Sequence, residues 1–180
     1  MNVGYVGNLQ MQLIDWDNLI QTVKKNPELN FIFIGPDKKS NIGGKVKQPK
    51  INLLKMLPNT NFTGSLTKEE LIKLLSFLEI FWLCYDNKKF PIEVSNSHKI
   101  LEYLSTGKVI VSNFISTYEN STLLEMTNSN DELKSKIKEI TSNLSNYNNA
   151  NLQQERINFA KENTYKKQIE RIEKFITVTI

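Results

Sequence analysis

The sequence predicts an α/β fold in which a parallel β-sheet carries helices on both faces. Short apolar segments alternate with amphipathic segments along the chain, as in successive strand–helix–strand units with right-handed crossovers. Residues 30–36 and 80–85 are almost continuously apolar, which is typical of strands buried on both faces of a parallel sheet. The sheet is therefore expected to lie inside the domain, with helices around it.

The first two strands and the helix between them follow from apolar runs and from the residues that end them. Residues 2–7 predict a strand that ends on a glycine, and Asp15 is a suitable N-cap for a helix that extends to about Lys25. Pro27 disfavours helical backbone at the residue before it and ends this helix. Residues 30–36 then form the second strand.

The middle of the chain repeats the alternation with shorter elements. Residues 37–50 predict an exposed loop, followed by a short helix at 51–57 and a short strand at 59–64. Thr67 caps the next helix, and Glu70 stands three residues later, at the position of a capping box. This helix leads to the second of the two buried strands.

The second half of the chain begins with a helix at 97–105 and a strand at 108–112, joined where Gly107 allows a left-handed turn. The remaining elements are, in order, a weaker strand near 122–126, a helix from about 131 to 143, an Asn- and Ser-rich loop over 141–151 and a last long helix over about 151–177. We expect this last helix to pack on a single domain that spans residues 1–180.

The amino-acid composition indicates a soluble globular protein. The chain has 180 residues, with 39% hydrophobic and 23% charged residues, as in one soluble globular domain. No apolar run approaches the roughly 20 residues needed to span a bilayer, and the N-terminal segment lacks the features of a signal peptide. The single cysteine, Cys84, lies in an apolar run. We therefore expect a cytoplasmic protein in which Cys84 is a small buried residue.

The basic charge balance does not indicate nucleic-acid binding. The net charge is +4 and the pI is near 9.0, but the lysines are scattered along the chain. No basic block alternates with aromatic residues as it does in nucleic-acid platforms. We expect no nucleic-acid partner.

The start of the helix at 97–105 is the main candidate for chemistry. Ligands of parallel α/β sheets bind beyond the carboxyl ends of the strands, where this helix begins. Asn96 or Ser97 can cap it, which leaves backbone N–H groups for a phosphate, and Lys99 adds a cation. Glu102 lies one turn further on, placed to accept hydrogen bonds from vicinal hydroxyls of a sugar. The same spacing also fits a solvated ion pair between Lys99 and Glu102.

Several ordered segments resemble one family. NSHKILEYLSTGKVIVSN resembles the segment NPxKxxEYLAxGKPVV of the GT-B glycosyltransferases, nearest to the bacterial family 4 type. VGYVGNL resembles their opening IGYxGxl, and DWDNLIQTVKKNPELNFIFIGP and NTNFTGSLTKEELIKLLSFLEIFWLCY resemble their next conserved segments. The end, FAKENTYKKQIERIEKFI, resembles their terminal helix. Because the matches occur in order over almost the whole chain, they are more specific than a single glycine motif.

The resemblance implies the Rossmann-like carboxyl-terminal half of such an enzyme, which binds the nucleotide-sugar donor. The acceptor-binding domain would precede this half, so we expect this chain to be inactive alone. By position, Glu102 would hold the ribose, Lys99 would lie near the phosphates, and the backbone around Ser65 and Leu66 would face the base. The residues that the resemblance places at or beside the donor are Gly7, Asn8, Gly35, Ser65, Leu66, Asn96, Ser97, His98, Lys99 and Glu102.

The resemblance also implies the reaction and its partners. A glycosyl unit would pass from a UDP- or GDP-sugar to an acceptor, in the synthesis of bacterial surface polysaccharide, with no cofactor and no catalytic metal. The complete enzyme would associate peripherally with a membrane. The chain departs from the family pattern where Ser97 and Cys84 replace prolines, and the segment NLQMQLIDW lacks the Arg and Lys that many relatives use to hold the diphosphate.

Other functions remain open from the sequence. A sugar-nucleotide epimerase of the same fold would bind the same ligand. A non-catalytic regulatory module of the receiver type would need an Asp at the end of a strand, whereas VGYVGNL and FIFIGP end on glycine. The DxD spelling at Asp15 and Asp17 marks a metal site in the other glycosyltransferase fold, but here it begins a helix, where Asp15 is better explained as a cap. We interpret His98, without a Ser or Asp partner, as part of the site's rim or as a surface residue.

Overall fold

Six parallel strands form one sheet in the computed structural model, which describes residues 1–38, 48–95 and 98–178. The strands are β1 (Asn2–Val6), β2 (Asn30–Ile34), β3 (Thr60–Gly64), β4 (Ile80–Leu83), β5 (Val109–Asn113) and β6 (Glu125–Thr127). Their order across the sheet is β3-β2-β1-β4-β5-β6, and all neighbouring pairs are parallel. This order confirms the predicted Rossmann-like parallel sheet.

Nine α-helices connect and cover the strands within the described residues. They are α1 (Trp16–Lys25), α2 (Gln48–Lys55), α3 (Lys68–Phe77), α4 (Pro91–Ser95), α5 (His98–Leu104), α6 (Leu133–Ser142), α7 (Leu144–Tyr147), α8 (Ala150–Glu162) and α9 (Tyr165–Val178). The chain moves outward from β1 to β3 and then from β4 to β6 in the opposite direction. With right-handed crossovers, this reversal places the connecting helices on opposite faces. On these faces α1 packs against α6, and α5 packs against α8.

The core lies between the strands and these helices. All four residues of β4 are buried, as the apolar run predicts. Trp82 of β4 packs against Phe31 and Phe33 of β2, with ring centroids 5.3 and 6.4 Å apart. Cys84, next to this cluster, is buried as predicted, and burial raises the pKa of its thiol well above the usual value. Aromatic packing thus joins β2 and β4, the strands on either side of β1.

Two predicted helix caps are confirmed. Asp15 accepts a hydrogen bond from the backbone N–H of Asn18 at the start of α1. Thr67 and Glu70 form the reciprocal capping box at the start of α3. Asp17, the second Asp of the DxD spelling, forms an ion pair with Lys50 of α2. Both acidic residues therefore have structural partners.

The helix predicted over 151–177 is instead two helices, α8 and α9. Asn163 ends α8, since its side chain donates to Phe159 O at 2.8 Å and its backbone N–H donates to Ala160 O at 3.2 Å. Thr164 begins α9, because its hydroxyl accepts from Lys167 N at 3.3 Å. An Asn that ends one helix and a Thr that starts the next produce the break between them.

Smaller departures occur elsewhere. The helix predicted at 51–57 begins earlier, at Gln48, and α4 and α7 were not predicted. α7 lies inside the predicted loop over 141–151, because Leu144 and Tyr147 pack against the core. The helix predicted at 97–105 begins at His98, while Asn96 and Ser97 lie outside the described residues. Across the described ranges, the structure contains no helix with both the length and the apolar character to cross a membrane.

Candidate functional site

Glycines end the first three strands. Gly7 and Gly35 form a surface without side chains, which we call the glycine floor. The backbone N–H of Gly7 donates to Ile34 O at 2.8 Å, and the N–H of Gly35 donates to Gly64 O at 2.9 Å. Gly7 and Gly35 have φ angles of 151° and 131°, which favour glycine. A Cβ on Gly35 would overlap Gly7 O and lie 2.8 Å from the Gly7 carbonyl carbon. The two loops therefore touch through their backbones at the carboxyl edge of the sheet.

The loop after β1 is held against the loop after β2. Asn8 Oδ1 accepts from Gln10 N at 2.8 Å, so the Asn8 side chain closes its own turn. Leu9 N donates to Pro36 O at 3.0 Å, and the buried Gln10 side chain donates to Asp37 O at 2.8 Å. These bonds give the glycine floor a fixed shape.

Lys99 lies over this floor, at the point where the strand order reverses between β1 and β4. Its Nζ donates to Tyr85 OH at 3.0 Å and to Tyr5 OH at 3.2 Å, and lies 3.4 Å from Met11 Sδ. A Cβ on Gly7 would overlap Lys99 Nζ and lie 2.6 Å from Lys99 Cε. The ammonium therefore occupies the switch point of the sheet, where ligands of this class of fold bind.

The positive charge of Lys99 has only neutral partners among the described residues. Burial, with Tyr85 and Tyr103 beside it, raises the pKa of Tyr5 well above its usual value, so this hydroxyl stays protonated near neutral pH. No carboxylate in residues 1–38, 48–95 and 98–178 pairs with Lys99 within ion-pair distance. The alternative of a solvated Lys99–Glu102 pair is therefore wrong. A partly desolvated cation without a counter-charge favours an anion.

Glu102 lies one turn beyond Lys99 on α5, but it lines a cavity that Lys99 does not line. It is exposed and lines a cavity of about 530 Å³ between α5 and the break between α8 and α9. Leu101 and Ser105 line the same cavity from α5, and Asn163 and Tyr165 line it from the break. Gly7 and Lys99 are not among its lining residues in the described part of the chain.

The structure brings Gly7, Asn8, Gly35 and Lys99 together at the carboxyl edge of the sheet, whereas Glu102 lines the cavity beside the break between α8 and α9. Ser65 is exposed after β3, and Leu66 packs partly against the core. His98 is the first residue of α5, and its side chain, like Asn96 and Ser97, lies outside the described part of the structure. The assignment of these residues to a bound donor stays a prediction.

The sequence analysis did not identify Tyr5 or Tyr85 as site residues. Their rings are buried, each 1% exposed, but both hydroxyls reach the Lys99 ammonium. One signal was available: each tyrosine lies at or near the carboxyl end of a strand, where side chains approach the ligand edge. The two hydroxyls meet at Lys99 because β1 and β4 are neighbours in the sheet. The spacing of residues along the sequence does not show this strand order.

Comparison with known proteins gives likenesses of structure only. No protein-family model and no curated protein matches this sequence. HepE of Anabaena, solved in complex with UDP and glucose, superposes with a TM-score of 0.73 at 15% identity, over 98% of this chain and 48% of HepE. This chain thus spans about half the length of HepE.

Two further solved structures are similar over most of this chain. The C-terminal domain of the group 1 glycosyltransferase LpcC from Francisella tularensis has a TM-score of 0.60 at 13% identity, covering 90% of this chain and 85% of that domain. UDP-GlcNAc 2-epimerase from Neisseria meningitidis, bound to UDP-GlcNAc, has a TM-score of 0.56 at 14% identity, covering 84% and 38%. At these sequence identities the likeness establishes the fold alone. It confirms the predicted resemblance at the level of the fold. The chain has the fold of the C-terminal domain of a GT-B glycosyltransferase.

Proposed function

We propose that this chain is the donor-binding domain of a glycosyltransferase and that it holds a nucleoside diphosphate sugar for transfer to an acceptor bound by a separate domain. The observation that carries the proposal is Lys99, whose ammonium lies over Gly7 with only neutral partners among the described residues. A diphosphate is the anionic part of such a donor. It would lie on the glycine floor, where backbone can approach a ligand closely.

The chemical contribution of this site would be positioning and charge stabilisation. When the glycosidic bond to the diphosphate breaks, negative charge grows on the leaving phosphate oxygen. A preorganised ammonium offsets this charge, and a fixed floor orients the bond for attack. We assign these roles to Lys99 and to the Gly7–Gly35 floor.

The other donor contacts follow from position. The family resemblance assigns the ribose hydroxyls to Glu102, which would bind them from the cavity between α5 and the break between α8 and α9, and it assigns the base to the backbone at Ser65–Leu66. We propose a UDP- or GDP-sugar as donor and bacterial surface polysaccharide as the product class. The crystal structures of HepE with UDP and glucose and with UDP-glucose support a uridine donor.

Calorimetric titration with UDP and GDP tests the proposal. We expect weak binding of at least one of them, and the Lys99→Met variant should bind it about 10- to 100-fold more weakly, the effect of losing a charge-assisted hydrogen bond of about 1.5–3 kcal/mol. Binding of uridine or guanosine, which lack phosphate, should be unchanged.

Lys25→Met is the matched control, because Lys25 is exposed in the last turn of α1, at the opposite end of the strand–helix unit. It should bind the nucleotide like the parent. The proposal fails if the folded chain binds neither UDP nor GDP, or if Lys99→Met binds as tightly as Lys25→Met.

A sugar-nucleotide epimerase is the second candidate, favoured by the likeness to the Neisseria enzyme. An epimerase alters its nucleotide sugar without any acceptor, whereas a transferase releases the nucleoside diphosphate only when an acceptor takes the sugar. NMR analysis of UDP-sugars, incubated with and without acceptor glycans and with the acceptor-binding domain supplied, separates the two reactions.

A further inference from the structure

The ammonium of Lys99 is held by hydroxyls that come from the two strands on either side of the switch point. Tyr5 belongs to β1, and Tyr85 follows β4 by two residues. The Lys99 Nζ lies 3.2 Å from one hydroxyl and 3.0 Å from the other, and 4.9 and 5.6 Å from the two ring centroids. The cation therefore contacts both tyrosines at the hydroxyl end of the ring.

Both tyrosine side chains are buried, each 1% exposed, and this packing restricts their rings before any ligand binds. Tyr5 is buried within its strand and packs on Phe33, with ring centroids 6.2 Å apart. Tyr85 is fixed through its backbone, because its N–H donates to Asn113 Oδ1 and its C=O accepts from Asn130 Nδ2, each at 2.9 Å. The two tyrosine hydroxyls thus hold the ammonium end of the Lys99 side chain, which would otherwise adopt many rotamers.

We propose that Tyr5 and Tyr85 are positioning residues, which hold Lys99 over Gly7 so that its ammonium meets the diphosphate of the donor. The inference rests on the proposed function and adds to it how the cation is kept in place. A lysine ammonium has three protons to donate. Two of them go to the tyrosine hydroxyls, and the third faces Met11 Sδ at 3.4 Å.

A thioether is a weak acceptor, so a phosphate oxygen can replace the Met11 contact at little cost. The tyrosine hydroxyls are neutral acceptors, so they orient the ammonium and leave its positive charge uncompensated. A carboxylate in their place would cancel that charge. Without the two hydroxyls, the Lys99 side chain would turn towards solvent, where its ammonium is hydrated. Binding of a diphosphate would then carry the entropic cost of ordering this side chain.

The test compares affinities for UDP and for uridine in Tyr5→Phe, Tyr85→Phe and the double variant. We expect each single variant to weaken UDP binding about threefold or more and the double variant about tenfold or more, but neither by more than Lys99→Met does, because the ammonium is still present and is only less well ordered. Uridine affinity should stay constant, because uridine has no phosphate. In the Lys99→Met background, the double tyrosine substitution should have no further effect on UDP.

Tyr147→Phe is the matched control. Tyr147 also bonds a charged group through its hydroxyl, to Glu139, and has a lysine over its ring, Lys136 Nζ at 5.1 Å from the centroid. It lies in α7, away from the glycine floor. Its loss should leave the ratio of UDP to uridine affinity unchanged.

A second measurement needs no ligand. The ¹⁵N-detected ammonium signal of Lys99, assigned by its absence in Lys99→Met, should be ordered in the parent and mobile in Tyr5→Phe. If the parent binds no UDP, the proposed function fails and this inference fails with it. If the parent binds UDP but the tyrosine variants match Tyr147→Phe, or if the Lys99 signal is equally mobile in parent and variant, the positioning role alone is overturned.

Discussion

Replacement of Gly35 by alanine is expected to destabilise the domain by about 2–6 kcal/mol, the combined cost of backbone strain and overpacking. Gly35 has φ 131°, and an added Cβ would lie 2.8 Å from the Gly7 carbonyl carbon and overlap its oxygen. Both obstacles are backbone atoms of a neighbouring loop. That loop is held by the hydrogen bond from Gly7 N to Ile34 O at 2.8 Å, so it cannot move away without loss of this bond.

Gly64→Ala is the control for the conformational cost alone. Gly64 also has a positive φ, 69°, but nothing lies within 4 Å of an added Cβ. Its substitution should cost only about 1–2 kcal/mol, as for an L-residue in left-handed backbone. Urea unfolding followed by circular dichroism measures both. Equal destabilisation by the two substitutions would show that the contact between the Gly7 and Gly35 loops is not rigid.

Arg156→Met is expected to lower the free energy of unfolding by about 3–5 kcal/mol, because it leaves several buried acceptors unsatisfied at about 1–3 kcal/mol each. Arg156 of α8 is 1% exposed. Its guanidinium donates to Tyr147 O at 2.8 Å, Asn148 Oδ1 at 3.1 Å, Gly107 O at 3.2 Å and Leu123 O at 3.3 Å. Removal leaves buried carbonyl groups without a donor.

Arg171→Met is the matched control for Arg156→Met. Arg171 also donates to a backbone carbonyl, Glu162 O at 2.6 Å, but it is exposed on α9. Because water can replace its bonds, its loss should cost less than about 0.5 kcal/mol. Thermal and urea unfolding of the two variants separate the outcomes. If Arg156→Met were no less stable than Arg171→Met, the guanidinium would not tie α8 to the loops beside it.

Local patterns predicted the fold well because each strand and each turn carries its own signal. Apolar runs identified β2 and β4, and glycines identified where β1 and β2 end. The alternation of elements then left few topologies, since crossovers are right-handed. The capping residues Asp15 and Thr67 were readable for the same reason: a cap acts on atoms within three residues of itself.

Contacts between distant segments could not be read in this way. Arg156 was not recognised as buried, because its acceptors lie up to 49 residues away along the chain. The hydroxyls of Tyr5 and Tyr85 meet Lys99 only because β1 and β4 are neighbours. By contrast, the break between α8 and α9 had a local signal in Asn163–Thr164, which the continuous amphipathic pattern outweighed.

The measurement that tests the central claim most directly is a crystal structure of this domain grown with UDP. We predict a phosphate oxygen at about 3 Å from Lys99 Nζ, above Gly7, as in other charge-assisted hydrogen bonds. UDP bound with both phosphates remote from Lys99, on any other part of the domain, would contradict the account.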